Sequence, residues 1–221
     1  MGITRRGLLE RAAVVVSGTC VEAGRPGPAL IGSAFAETSQ PGVSNDELMK
    51  AGPFPDKFLG SANAPITVVE YASMTCTHCA QFAMITLPDL KAKYIATGKV
   101  RYTVREFALD QYAAVGAMLA RSAGEQYFAV VDLLLRQQRQ WMNGYVQPLM
   151  SLAIEQFGFT PQSFQACLAN RQLLADVKAT FERAKTFGIS SVPCFFVNGK
   201  KLEGYQSLAE LEETFAPFIR S

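Results

Sequence analysis

Cysteines at positions 76 and 79, separated by Thr77 and His78, have the spacing of a redox dithiol. Residues three apart on a helix are neighbours, so one sulfur can attack while the other closes on it. The apolar residues that follow support such a helix: Cys79, Ala83, Leu87, Leu90 and Tyr94 recur at spacings of three and four and trace one face that ends near Gly98. Cys76 then stands at the helix N-terminus, where unpaired backbone N–H groups and the positive end of the helix dipole stabilise a thiolate. Cys76 is expected to be the attacking thiol and Cys79 the buried resolving thiol. His78, the single histidine of the chain, adds a donor or a positive charge beside the thiolate. Stabilising the thiolate favours the reduced form and so makes the couple oxidising.

Other uses of a Cys-x-x-Cys pair fit less well. Zinc needs two further ligands, and Cys167 and Cys194 lack the paired spacing of a structural site. Covalent haem needs histidine directly after the second cysteine, where Ala80 stands. A purely structural disulfide across so short a loop removes little chain entropy. No cofactor and no metal are therefore expected beyond the Cys76–Cys79 pair itself. Cys167 and Cys194 read as isolated buried thiols, with a second disulfide, or interception of intermediates by Cys194, as the alternatives.

Two further features suit this chemistry. Glu70 lies six residues before Cys76, inside the apolar run Ile66 to Ala72 and on the same strand face as Ile66 and Val68. A buried carboxyl has its pKa raised and can exchange a proton with Cys79; the alternative is a carboxylate at a sheet edge or paired with lysine. Val192-Pro193 precedes a strand. A cis bond there would aim the Val192 backbone at the dithiol and give an extended substrate a docking edge.

The elements that must position these residues follow from the pattern. Ile66–Ala72 is a buried strand, and Val100, Tyr102 and Val104 alternate with Arg101, Thr103 and Arg105 in a second strand. The helix between them makes a parallel βαβ unit. Pro88 removes one backbone donor from that helix and should kink it. Residues 111–187 show helical periodicity throughout, broken near Gly124, Gly144, Gly158 and Thr160-Pro161. The last helix of the block carries Leu173, Leu174, Val177, Phe181, Ala184 and Phe187 on one face and stops at Gly188. Asn198-Gly199 predicts a type I′ hairpin, and Ser207 with Glu210 predicts a capping box on a final helix.

The chain has 221 residues, 49% hydrophobic and 18% charged, with a formal net charge of +2. The first 36 hold Arg5, Arg6, Arg11 and Arg25 against Glu10 and Glu22, which leaves 17 basic and 17 acidic residues in the rest. A near-neutral body without a basic stripe argues against nucleic-acid binding. Thr4-Arg5-Arg6-Gly7-Leu8-Leu9, the apolar Ala12–Val16 and the small-x-small site Ala34-Phe35-Ala36 read as a signal peptide over 1–36, possible twin-arginine type, although Glu22, Arg25, Pro26 and Pro28 interrupt its apolar stretch. Residues 37–53 read as a flexible linker, with order beginning near Phe54. After the leader no segment reaches the roughly 18 apolar residues of a membrane span.

From about Phe54 to Ser221 the chain resembles the DsbA-like periplasmic thiol–disulfide oxidoreductases. The motifs that carry the resemblance are Val68-Val69-Glu70-Tyr71 leading to Cys-x-His-Cys, Val192-Pro193, and Phe196-Val197-Asn198-Gly199. It implies an α/β thioredoxin-like fold over 54–110 and 188–221, with an inserted α-helical domain over 111–187. It also implies Cys76 as nucleophile, Cys79 as resolving cysteine, Glu70 as buried acid, and Pro193 as a cis-proline beside the substrate groove. The implied activity is a monomeric periplasmic oxidase of reduced exported polypeptides, reoxidised by a membrane partner of the DsbB type. Thr77 stands where the best-known members have proline, and Cys194 where many have a small residue. The alternatives on the same residues are a disulfide reductase or isomerase, and a holdase that grips unfolded chains without chemistry.

Overall fold

The computed structural model describes residues 43–142 and 146–219. The leader, its cleavage site after Ala36, residues 37–42 of the linker and the break at Gly144 lie outside the described residues. Four strands form one mixed sheet in the order β2-β1-β3-β4. Strands β1 (Ile66–Ala72) and β2 (Val100–Glu106) run parallel, with Glu70 opposite Val104. Strand β3 (Cys194–Val197) is antiparallel to β1, with Phe195 opposite Glu70, and β4 (Lys200–Glu203) closes the hairpin. Asn198 and Gly199, with φ of 47° and 88°, make the I′ turn that their sequence predicts.

Every residue of β1 is buried, because both faces of the sheet are covered. Val68, Ala72, Tyr102, Val104 and Phe195 face one core, which they share with Cys79, Phe82 and the helices after β2. Val69, Tyr71, Cys194 and Phe196 face a second core with Ala184, Phe187 and Leu48. The two-residue period of a strand therefore decides which cysteines can meet, since Cys79 and Cys194 lie on opposite faces.

The helix after β1 is α2 (Thr77–Gln81), a π-helical turn over Phe82–Thr86, α3 (Leu87–Leu90) and a second π-helical turn over Lys91–Ile95. Pro88 sits in the first turn of α3, directly after the π-helical turn in which the Leu87 N–H reaches back to the Phe82 carbonyl. The expected kink is thus taken up as a widened turn. Between β2 and β3 come α4 (Gln111–Ser122), α5 (Tyr127–Arg136), α6 (Gln138–Trp141), α7 (Val146–Phe157), α8 (Pro161–Ala169) and α9 (Arg171–Thr186). Trp141 is fully buried there, and its indole N–H donates to the Leu134 carbonyl. Thr160 and Ser163 form a capping box on α8, and Ser207 with Glu210 another on α10 (Leu208–Ile219).

Residues 43–53 depart from the linker reading. Ser44 caps the short helix α1 (Asn45–Met49), whose Leu48 is buried in the second core. Three arginines hold the stretch that follows. Arg183 donates to the carbonyls of Glu47 and Lys50 at 3.3 and 2.7 Å. Arg121 donates to the Pro55 carbonyl at 3.1 Å and lies over the Phe54 ring, and Arg105 grips both oxygens of Asp56 at 2.9 and 2.6 Å. Arg121 also forms a two-pronged ion pair with the buried Glu106 at 2.6 and 2.7 Å. The donors are 49 to 136 residues away in sequence, so local composition carries no sign of them.

Candidate active site

Strand β1 ends at Ala72, and Ser73, Met74 and Thr75 turn the chain so that Cys76 caps α2. Its backbone is extended, at φ −82° and ψ 122°, and its Sγ accepts the Cys79 N–H at 3.4 Å. The hydrogen bond from the Cys79 thiol does most to stabilise the Cys76 thiolate. Partial burial opposes it, and the backbone N–H groups of Cys79 and His78 and the His78 charge add to it, so the Cys76 thiol falls to about 6. The His78 ring itself is exposed, with Nδ1 at 3.4 Å from the Gln81 Oε1. Its backbone does more for the sulfur than its charge.

Cys79 is buried, and that burial pushes its thiol far above the ordinary range, with the Cys76 hydrogen bond and the Glu70 charge acting the same way. Glu70 lies on the same face of β1, buried, with one carboxyl oxygen accepting the Tyr102 hydroxyl and the other, Oε1, without a partner. Loss of hydration dominates there. The Tyr102 hydrogen bond opposes it and the Cys76 charge adds to it, so the carboxyl rises to about 8. Tyr102 is held in turn by a pair of backbone hydrogen bonds to Leu59, at 2.8 and 2.9 Å.

The Val192–Pro193 bond is cis, and the Cys76 Sγ donates to the Val192 carbonyl at 3.3 Å. Cys76, Cys79, Glu70 and Val192 thus come together from three separate stretches of chain. Cys194 does not join them. It faces the second core, where burial pushes its thiol up to about 12. Cys167 lies in the first core, its Sγ accepting the Ser122 hydroxyl at 3.2 Å, and both are free thiols.

Two residues, Asp110 at the threshold of the helical insertion and Gln138 within it, reach the loop before Cys76. The Thr75 hydroxyl donates at 2.8 Å to Asp110, whose other oxygen caps α4 by accepting the Ala113 N–H. Gln138, from α6, donates to the carbonyls of Met74 and Cys76. Asp110 carries a recognisable signal, an acidic residue directly before a helix. Gln138 carries none. Among the described residues no group of three or more His, Cys, Asp or Glu side chains could hold a metal ion.

A family profile described as thioredoxin matches residues 55–215. The chain belongs to the thioredoxin family. The α-DsbA1 structure of Wolbachia pipientis superposes with a TM-score of 0.71 at 29% identity, covering 80% of this chain and 96% of that one. The oxidised BdbD structure of Bacillus subtilis superposes with a TM-score of 0.68 at 19% identity, over 75% of this chain and 94% of that one, and so speaks for the fold alone. The resemblance to DsbA-like proteins and the thioredoxin-like fold with a helical insertion are both borne out. In sequence the chain is 35% identical over 158 residues to a Rickettsia bellii protein provisionally named a protein-disulfide oxidoreductase, covering 68% of this chain and 60% of that protein. It spans about three-fifths of the length of the Rickettsia relatives it matches.

Proposed function

We propose that this thioredoxin-family protein is an exported thiol–disulfide oxidoreductase of the DsbA type that passes a Cys76–Cys79 disulfide to reduced polypeptides. The observation that carries the proposal is the inequality of the two sulfurs. Cys76 is half-buried and its thiol lowered to about 6, whereas Cys79 is buried and its thiol raised. In the reaction a substrate thiolate attacks the Cys76 Sγ, a substrate–Cys76 bond forms, and the Cys76–Cys79 bond breaks. Cys79 cannot stay charged where it lies and takes a proton. Glu70, protonated below about pH 8, is the buried acid on the same face of the sheet. A second substrate thiolate then attacks the substrate sulfur, the new disulfide leaves, and Cys76 departs as a stabilised thiolate.

The Val192 carbonyl beside Cys76 and Pro193 after it offer an edge on which an extended substrate can lie in strand-like pairing. The dithiol left behind carries two electrons, which a membrane reoxidase of the DsbB type would remove. The compartment is the periplasm, on the strength of the leader-like N-terminus. Among the described residues no helix is long and apolar enough to cross a membrane. The names of the relatives, protein-disulfide oxidoreductase and DsbA1, support the direction of the reading.

The test is to incubate the oxidised full chain with a reduced, unfolded polypeptide and count the substrate thiols that disappear. Cys76→Ser should fall to the uncatalysed rate. Oxidation that persists in Cys76→Ser would refute the proposal. A chain that binds the unfolded polypeptide unchanged with both cysteines replaced, yet never oxidises it, would be a holdase.

A further inference from the structure

Gln138 belongs to the helical insertion and lies 62 residues beyond Cys76 in sequence, yet its side chain ends on the active-site loop. Its Nε2 donates to the Met74 carbonyl and to the Cys76 carbonyl, at 2.9 Å each. Both hydrogens of one amide are thus spent on two carbonyls that flank Thr75. The partners fix which end of the amide points inward, because carbonyl oxygens only accept and the NH2 end alone can serve two of them. The side chain is buried, so a carbonyl released from it would find little water in exchange.

The loop makes two demands that the helix cannot meet alone. The Cys76 N–H turns back to the Ser73 carbonyl at 3.1 Å, while the Cys76 carbonyl accepts the first helical bond, from the Ala80 N–H, at 3.1 Å. Between these the Met74 carbonyl lies outside the helix, and Gln138 ties it to the carbonyl that opens α2. A close approach of the insertion helps: a Cβ on Gly116 of α4 would stand 3.1 Å from the Met74 side chain. We propose that Gln138 is a positioning residue for the nucleophile, clamping these two carbonyls so that Cys76 keeps the N-cap geometry in which its sulfur receives the Cys79 N–H. The inference rests on the reading of Cys76 as the attacking thiol. It gives the inserted helices a part in setting the redox balance of a site to which they contribute no reacting atom.

The clamp acts unequally on the two redox forms. A thiolate gains from a well-aligned N–H donor, whereas a disulfide sulfur carries no charge to stabilise. Losing the clamp should therefore weaken the reduced form more than the oxidised one. The test compares the wild-type chain with Gln138→Met, which keeps the length without a donor, and Gln138→His, which restores one N–H. Thiolate absorbance is followed against pH, the dithiol is equilibrated with glutathione, and thermal melts are run in both redox states. For Gln138→Met we expect the thiolate midpoint to rise by about one pH unit and the glutathione equilibrium to shift about tenfold toward the protein disulfide, the scale of losing a helix cap. Gln138→His should fall between the two, and it decides the matter alone if Gln138→Met does not fold. A variant that melts earlier in both redox states equally, with midpoint and equilibrium within twofold of wild type, would overturn the proposal. A wild-type chain with no cysteine titrating below about pH 8 would instead sink the reading of Cys76, and the clamp with it.

Discussion

A Cys79→Ser chain mixed with a polypeptide that carries an accessible disulfide should accumulate as a covalent complex. The Cys76 thiolate attacks one substrate sulfur, the other leaves as a thiolate, and the bond now joining enzyme to substrate has no Cys79 to break it. In the wild-type chain that second attack is intramolecular. Groups held in such a geometry react as though present at effective concentrations on the order of 10⁵ M in favourable cases. Against free thiols in the millimolar range, removing Cys79 should lengthen the life of the complex by at least about a thousandfold. A denaturing, non-reducing gel at pH 7 reads the result directly. The Cys76→Ser, Cys79→Ser double variant should show no complex. Adducts that persist in the double variant would mean that one of the three remaining cysteines, Cys20, Cys167 or Cys194, reacts, for Cys167 and Cys194 against their burial and raised thiols.

Replacing Glu70 by glutamine should change how the stability of the reduced protein depends on pH. The folded-state pKa of Glu70 stands above its ordinary 4.5, at about 8. The folded protein therefore holds this proton more tightly than the unfolded chain does. The stability that comes from keeping the group neutral is fully present below pH 4.5 and is lost as pH rises through about 8. At about 1.4 kcal/mol per unit the whole change is about 5 kcal/mol. Cys76 works the other way. Its folded pKa is depressed from 9.0 to about 6, so the thiolate adds stability as pH climbs across that window.

Glu70→Gln keeps the size of the side chain and the acceptor for Tyr102, but it puts an NH2 near the unpartnered Oε1 position, at a cost of about 1–3 kcal/mol. Below pH 4.5 the variant should be the less stable of the two, and at pH 9 the more stable. Urea unfolding at a series of pH values checks this, and the difference between the two chains removes the Cys76 contribution to first order. Curves that stay parallel from pH 4 to pH 9 would mean that water or a counter-charge reaches the carboxyl. If Glu70 also protonates Cys79 as the disulfide opens, Glu70→Gln should slow that step by about a hundredfold, the lower end for a positioned acid.

How far the chain can be read without its structure depends on whether a signal is local. The βαβ unit, the type I′ hairpin at Asn198-Gly199, the cap at Ser207 and the break at Thr160-Pro161 were legible, because each is decided by residues a few positions apart. Glu70 was legible as buried because strand alternation puts it on the face of Ile66 and Val68. Its partner was not, since choosing Tyr102 over a lysine requires the register between β1 and β2. Cys194 shows what the same alternation can decide: one residue along from the active-site face, it points into the opposite core. The arginines that order residues 43–56 and the Gln138 amide on the active-site loop were invisible, because side chains far apart in sequence meet only through tertiary packing.

The balance between the dithiol and the disulfide ties these residues together. Thiolate stabilisation at Cys76 favours the reduced form and so makes the protein the stronger oxidant. Equilibrating the full chain with reduced and oxidised glutathione at pH 7, and trapping the Cys76 and Cys79 thiols with acid, measures that balance in one experiment. The expected potential lies well above the roughly −270 mV of a thioredoxin-type reductant, displaced toward the roughly −120 mV of a strong oxidase. A value at or below about −270 mV would contradict it and make the same site a reductase.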